Sequence, residues 1–355
     1  MKRNLLILFL SIFTLLLVAC SGDDQAASGT NGTDSNGGAA SDDEVIKLSY
    51  AFFAPAGTFP AVQMEEWKER LEERTDGKVE VELFPGGTLL TAENMYDGVA
   101  SGTADIGLNS TSYEPGRFPL LEISDMPSNY SDAVVASKVV SDLIEKYPPE
   151  AFEDYKIITS FATEPMYIQS KEPITSLDEM KGKQLRIGGA VAPVLEEMGA
   201  APVGMSQAEV PEALQTGIVD GYVSSREILK DTSLAEMVDY VTDYPLVINT
   251  FVAVMTKEKW DSLPEDVQEV IEELKDEMTL FAAEYLDEHV QESMDWSQEE
   301  HGLEVVELEG GEAEKWEELL SAYQEEKAKE LDEEGLPGTE YLNDLRELVE
   351  KYNAE

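Results

Sequence analysis

The chain has 355 residues, 74 of them acidic and 25 basic, giving a formal charge of −49. That length admits two compact domains at roughly 150 residues each, and 42% hydrophobic residues suffice for their cores. So acidic a surface repels phosphates and anionic headgroups, which excludes nucleic acid and flat docking on an acidic bilayer, and it suits solubility in a saline or alkaline medium.

Met1-Lys2-Arg3-Asn4 is a short basic start, and Leu5 to Val18 is apolar apart from Ser11 and Thr14. The stretch is too short to span a bilayer comfortably and reads as a signal peptide over 1–19. It ends in Leu17-Val18-Ala19-Cys20, which resembles a bacterial lipobox; that resemblance implies acylation of the Cys20 thiol and anchoring to the outer face of a membrane. More than one lipid chain is needed for stable attachment. Cys20 is the single cysteine, so no intrachain disulfide framework is possible. Residues 21–44 are mostly Gly, Ser, Asp, Asn, Thr and Ala without periodicity, so 20–44 reads as a disordered tether. No later segment offers the ~20 apolar residues of a spanning helix.

From Val45 the pattern becomes α/β. Alternation predicts a strand over 45–53, a Pro/Gly loop, and an amphipathic helix over 61–75 with Trp67 and Leu71 on one face. A strand over 78–84, a short helix over 92–101 and a strand over 104–108 complete a β-α-β-α-β order, which predicts a parallel sheet. Further strands are expected over 156–162, 167–170 and 184–187. Ser176 and Glu179 have capping-box spacing. Helices are expected over 191–198 and 207–216, a strand from about 218, and a strand over 249–256 that crosses back into the first domain. Residues 260–301 read as one or two long connecting helices, and 313–333 and 339–352 as two more. Two lobes follow: 45–163 with about 251–291, and 164–250 with about 292–355. Ligands bind in clefts between such domains.

Met180-Lys181-Gly182-Lys183-Gln184-Leu185-Arg186-Ile187-Gly188-Gly189 is followed by Met198-Gly199-Ala200-Ala201-Pro202-Val203 and by the run from Glu209-Val210-Pro211 to Asp220-Gly221. Phe84-Pro85-Gly86-Gly87-Thr88-Leu89, the 98–107 segment and Trp260-Asp261-Ser262-Leu263-Pro264-Glu265 precede and follow them. This ordered set resembles the substrate-binding proteins of tripartite ATP-independent periplasmic (TRAP) transporters, the DctP family, over roughly 45–350. The resemblance implies a two-lobed periplasmic-binding-protein-like α/β fold that closes on its ligand about a hinge. It also implies delivery to a small and a large integral membrane subunit. In the family, the arginine at the position of Arg186 pairs with the ligand carboxylate. The chemistry suits it, because a planar guanidinium grips a carboxylate at two points where lysine supplies only charge. The sequence departs from the family pattern at Gly188, where proline is common, at Met166 and Ser224, where sialic-acid binders carry arginine and asparagine, and at Gln207, where phenylalanine is frequent.

Loops after strand ends line the cleft of an α/β fold, which nominates Phe53, Asn109, Ser110, Tyr113, Tyr167, Ser224 and Asn249 as ligand contacts. Arg226 either supplies a second positive charge or pairs with Glu227 or Asp231. The expected function is extracytoplasmic capture of a small organic acid anion for a TRAP-type transporter, with no catalysis, cofactor or metal. The only histidines, His289 and His301, fall in the acidic helical region without ligand spacing and are expected to face solvent. No GxSxG, HExxH or phosphate-cradling loop supports a secreted hydrolase. An adhesin would call for repeats, and none is seen. A lipoprotein serving an ATP-driven importer or a sensor complex is compatible with the leader, and the internal motifs oppose it.

Overall fold

The computed structural model describes residues 45–355; the leader, Cys20 and the tether expected over 20–44 lie outside them. The first lobe runs through strand β1 (Ile46–Phe52), helix α1 (Phe59–Arg74), β2 (Val79–Phe84), α2 (Met95–Ala100), β3 (Ile106–Ser110), α3 (Pro119–Asp125), α4 (Ala133–Lys146) and β4 (Tyr155–Ala162). The second follows with β5 (Tyr167–Ser170), α5 (Leu177–Met180), β6 (Gln184–Ile187), α6 (Ala192–Glu197), β7 (Ala201–Gly204), α7 (Val210–Thr216), β8 (Gly221–Ser224), α8 (Ile228–Asp231) and β9 (Tyr240–Thr242). The chain recrosses through β10 (Thr250–Thr256) and continues as α9 (Lys257–Ser262), α10 (Glu265–His301), β11 (Glu304–Val306), α11 (Glu312–Glu334) and α12 (Gly338–Asn353). No helix among the described residues is long and apolar enough to cross a membrane.

The first sheet has the order β2-β1-β3-β10-β4. Its β1, β2 and β3 are parallel, as the β-α-β-α-β order requires, but β10 runs antiparallel to both β3 and β4. The sheet is therefore mixed rather than parallel, because β10 enters it from the opposite lobe. Apolar residues on one face of α1 cover this sheet, and Trp67 meets the ring of Tyr50 edge-on at 5.4 Å. The second sheet has the order β11-β9-β5-β8-β6-β7.

Helix α10 has 37 residues. Val267, Ile271, Leu274, Met278, Ala282 and Leu286 recur every three or four positions and are buried, the spacing of one helical face. That face packs on α1, α4 and β4, and farther along the helix touches α8. Gly302 at φ 70° ends the helix in a left-handed conformation open to glycine at little cost. Two expectations need correction here. His289 does not face solvent: its Nε2 lies 2.7 Å from Asp231 Oδ1, joining α10 to α8. Helix α12 packs against α4 and α11, with Tyr341, Leu342, Leu345 and Val349 in the first lobe's core, so 292–355 is not wholly second-lobe. The apolar stripe of α4 needs a cover, and α12 supplies it.

Two extended segments join the lobes, and they are paired. Thr163 N–H donates to Asn249 O at 3.1 Å and Asn249 N–H to Thr163 Oγ1 at 3.0 Å. Beyond them Leu246 N–H donates to Met166 O at 2.9 Å. Glu164 sits in the same crossing and accepts from Arg226 Nε at 3.0 Å, Nη2 at 2.6 Å and main-chain N–H at 2.7 Å.

Candidate functional site

Arg186 is the third residue of β6, in register with Tyr222 of β8 on one side and Val203 of β7 on the other. Leu185 and Ile187 enter the second lobe's core, and the alternation of a strand sends Arg186 to the other face. The residue is 3% exposed. Its Nε and Nη2 donate to Met205 O at 3.0 and 2.8 Å, Nη1 to Gln207 Oε1 at 2.7 Å, and Nη2 to the Tyr113 hydroxyl at 3.2 Å. Every one of these acceptors is neutral. Arg70, Arg74, Arg117, Arg226 and Arg346 each have a carboxylate within 4.0 Å, and Arg186 alone among the described arginines has none. A buried charge without a counter-charge costs several kcal/mol, so the site carries an electrostatic demand that an anion would meet.

The groups around it add donors. Tyr113 follows β3 in the first lobe, and its hydroxyl accepts from both Arg186 Nη2 and Gln207 N–H, the latter at 3.0 Å. Its own proton is thus free to point elsewhere. Gln207 must turn Oε1 toward the guanidinium, which only donates, leaving Nε2 buried without a partner. A reciprocal capping box holds this segment: Glu209 accepts from Ser206 N–H at 2.9 Å while its own N–H bonds the Ser206 hydroxyl. Around Ser176 the corresponding box is only half formed, since Glu179 Oε2 accepts from Thr175 N–H rather than from Ser176.

These groups face one cavity between the lobes, about 530 Å³ when its mouth to solvent is counted. Phe52, Phe53, Phe59 and Phe251 form its first-lobe wall; Arg186, Gln207, Ser224 and Glu227 belong to the second-lobe wall; Thr163 and Asn249 come from the crossing segments. The lobes touch at its edge. A Cβ built on Gly188 would stand 2.3 Å from Ser112 Oγ, so glycine at this position lets the two lobes meet.

Five of the residues nominated from sequence, Phe53, Tyr113, Arg186, Ser224 and Asn249, lie together on this cavity. Four do not line it. Asn109 donates to Ala92 O at 2.7 Å inside the first lobe, and Ser110 donates to Asn249 Oδ1. Arg226 pairs with Glu164, not with Glu227 or Asp231, and stacks 4.0 Å above the ring of Tyr167. Phe251 and Glu227 are lining residues that were not nominated from sequence, and Gln207, singled out there only as a departure from the family pattern, is a third. Gln207 becomes visible only once β6 and β7 are known to be neighbours.

Two α/β lobes, joined by paired crossing segments and meeting over a buried unpaired cation, define a binding protein of the periplasmic type. The model of the bacterial extracellular solute-binding proteins, family 7 (DctP), matches residues 51–330, and the chain belongs to that family. A TRAP periplasmic solute-binding protein from Desulfovibrio salexigens is 39% identical, with a TM-score of 0.77 over 87% of this chain and 97% of that one. It was solved as an open complex with the C-terminus of a symmetry mate in its ligand-binding site. A marine-metagenome TRAP solute-binding protein specific for aromatic acids is 25% identical, with a TM-score of 0.81 over 86% of this chain and 99% of that one. The C4-dicarboxylate-binding periplasmic protein DctP of Rhodobacter capsulatus is 25% identical across 81% of this chain and 88% of its own length. The match to a solute-binding protein of Roseobacter denitrificans spans 64% of that protein.

Proposed function

We propose that the chain captures a small organic acid outside the cytoplasm, with the acid's carboxylate on Arg186. It passes the acid to a TRAP-type secondary transporter built from a small and a large integral membrane subunit. One observation carries the reading: a buried guanidinium faces an interlobe cavity without a carboxylate of its own. Tyr113 O–H and Gln207 Nε2 complete the set of donors for the anion. Phe53 packs on the body of the ligand, and Ser224 and Asn249 hydrogen-bond it. Arg226 serves the hinge. The hydrogen bond from Arg186 to Tyr113 joins opposite lobes, so a carboxylate at this point favours the closed state over the open one, as any ligand-driven closure requires. Acylated Cys20 holds the protein at the outer membrane face, within reach of the transporter.

A thermal-shift series with substituted benzoates and C4-dicarboxylates tests the reading, followed by titration calorimetry on the acids that stabilise the protein. Arg186→Ala is expected to cost about 2–5 kcal/mol of binding free energy, as when one partner of a buried charged pair is removed. Arg186→Lys is expected to recover part of it, keeping charge without the planar fork. Wild-type affinity in the alanine variant would overturn the assignment.

A further inference from the structure

Arg186 is not the only unpaired ionisable group on the cavity. Glu227, at the start of α8, is 2% exposed and lines the same space. Its carboxylate accepts from the Ser225 hydroxyl. No lysine, arginine or histidine among the described residues comes within 4.0 Å of it, and it makes no ion pair with Arg186. The main-chain carbonyls of Arg226 and Glu227 are tied to α10 by the Ser293 hydroxyl, at 2.9 and 3.1 Å, so the acid is fixed in place.

We infer that the cavity is built for a dipolar ligand, with a carboxylate at the Arg186 end and a cationic nitrogen at the Glu227 end. The inference rests on acid capture at Arg186 and narrows it to a zwitterion. A buried guanidinium and a buried carboxyl that share a cavity without pairing with each other are complementary to a molecule carrying a carboxylate and a cationic nitrogen. The guanidinium is costly unpaired, burial keeps a proton on the carboxyl, and one dipolar ligand gives each group its counter-charge. The rest of the wall agrees. Phe52, Phe59 and Phe251 meet edge to face, Phe59–Phe251 at 5.8 Å and Phe52–Phe251 at 6.4 Å, an apolar wall that suits the carbon skeleton between the two polar ends of such a ligand. Asp125 is the useful contrast: it is equally buried and takes a hydrogen bond from Thr250, but it lines no part of this cavity.

The charge of the whole molecule points the same way. At −49, the protein repels a monoanion and repels a dianion twice over, whereas a zwitterion of zero net charge meets no long-range barrier. Protonation is coupled to binding. Burial pushes the Glu227 carboxyl up to about 8 against the pull of the Ser225 hydrogen bond, with Asp231 and Glu164 adding to the rise. A cation arriving at pH 7 therefore displaces a proton, and a second carboxylate would instead retain it.

The test uses the full chain and matched probe sets: the ω-amino acids from glycine to 5-aminopentanoate with their plain and dicarboxylic counterparts, and 3-(aminomethyl)benzoate with 3-methylbenzoate and isophthalate. Calorimetry in two buffers of different protonation heat reads affinity and proton release together. The expected result is a preference of at least tenfold for one amino acid over its plain acid, with protons released at pH 7. Glu227→Gln should abolish both the preference and the release. If a plain acid or a diacid binds as tightly as the amino acid, the role of Glu227 is overturned and acid capture stands. If no probe of any set is bound, acid capture fails and this inference fails with it. Should Glu227→Gln fold poorly, the ranking of probes by the wild-type chain decides alone.

Discussion

Two arginines, forty positions apart, show how burial and pairing separate roles that sequence leaves joined. Arg186 is buried without a counter-ion, whereas Arg226 is clamped by Glu164, whose side chain is 5% exposed. Removing one partner of a buried pair strands the other charge at about 3–5 kcal/mol. Arg226→Ala is therefore expected to lower unfolding stability by about 3 kcal/mol in denaturant titration, while the folded fraction binds its acid with affinity close to that of the parent. Arg186→Ala should do the reverse, losing affinity with little loss of stability. The strand-end arginine was legible because the motif around it fixes a strand and because forked donors suit a carboxylate. Its companions were harder to read. Tyr113 could be nominated from its loop, but Gln207 lies 21 residues beyond Arg186 and needs the register of Arg186 opposite Val203 to come into view. Glu227 is one acid among 74, and only burial singles it out.

Among the elements, the strands of the first lobe, β5, β6 and β8 of the second and the long helix were readable from alternation and helical spacing, whereas the short β7, β9 and β11, of three or four residues each, were not. The reversed direction of β10 was not, because no local pattern records which way a neighbouring strand runs. Helix α4 is not among the expected elements, although the sequence carries its signal: Asp132, which caps it by accepting from Val135 N–H at 2.8 Å, precedes apolar residues at 135, 136, 139, 140 and 143. The turn after β6 carries a prediction. Gly188 has φ −62°, which any residue adopts, so its constraint is contact with Ser112 across the lobes rather than backbone strain. Gly188→Ala should push Ser112 away and disfavour the closed state. The expected readout is about tenfold weaker ligand binding, a differential of ~1.4 kcal/mol between states, with the unliganded melting temperature within ~2 °C of the parent.

For the molecule as a whole, several carboxyls are buried without cations. Burial raises Asp125 to about 8, partly offset by Thr250, and raises Asp287 to about 6, partly offset by the Ala133 amide. A carboxyl whose folded value lies above its unfolded value binds more protons when folded, so its stabilisation is complete below about pH 4 and is lost as pH rises through the folded value. For Asp125 that window runs from about 4 to about 8. Thermal unfolding should thus show stability declining from pH 5 to pH 9. Asp125→Asn, which keeps an acceptor for Thr250, should raise the midpoint by about 5 °C at pH 9 and leave it nearly unchanged at pH 5. Surface acidity suited to an alkaline medium and an interior that dislikes one pull in opposite directions. The long helix brings the two lobes into a single mechanical frame. At 37 residues α10 is about 55 Å long; its first two-thirds is bolted to the first sheet, and near its far end Ser293 grips the carbonyls behind Glu227. Next to that grip the Ser297 hydroxyl turns back to Ser293 O at 2.7 Å, a contact that lets a helix bend. One continuous helix thus runs from the packing of the first lobe to the backbone that carries Glu227, so both walls of the cavity are tied to the same element.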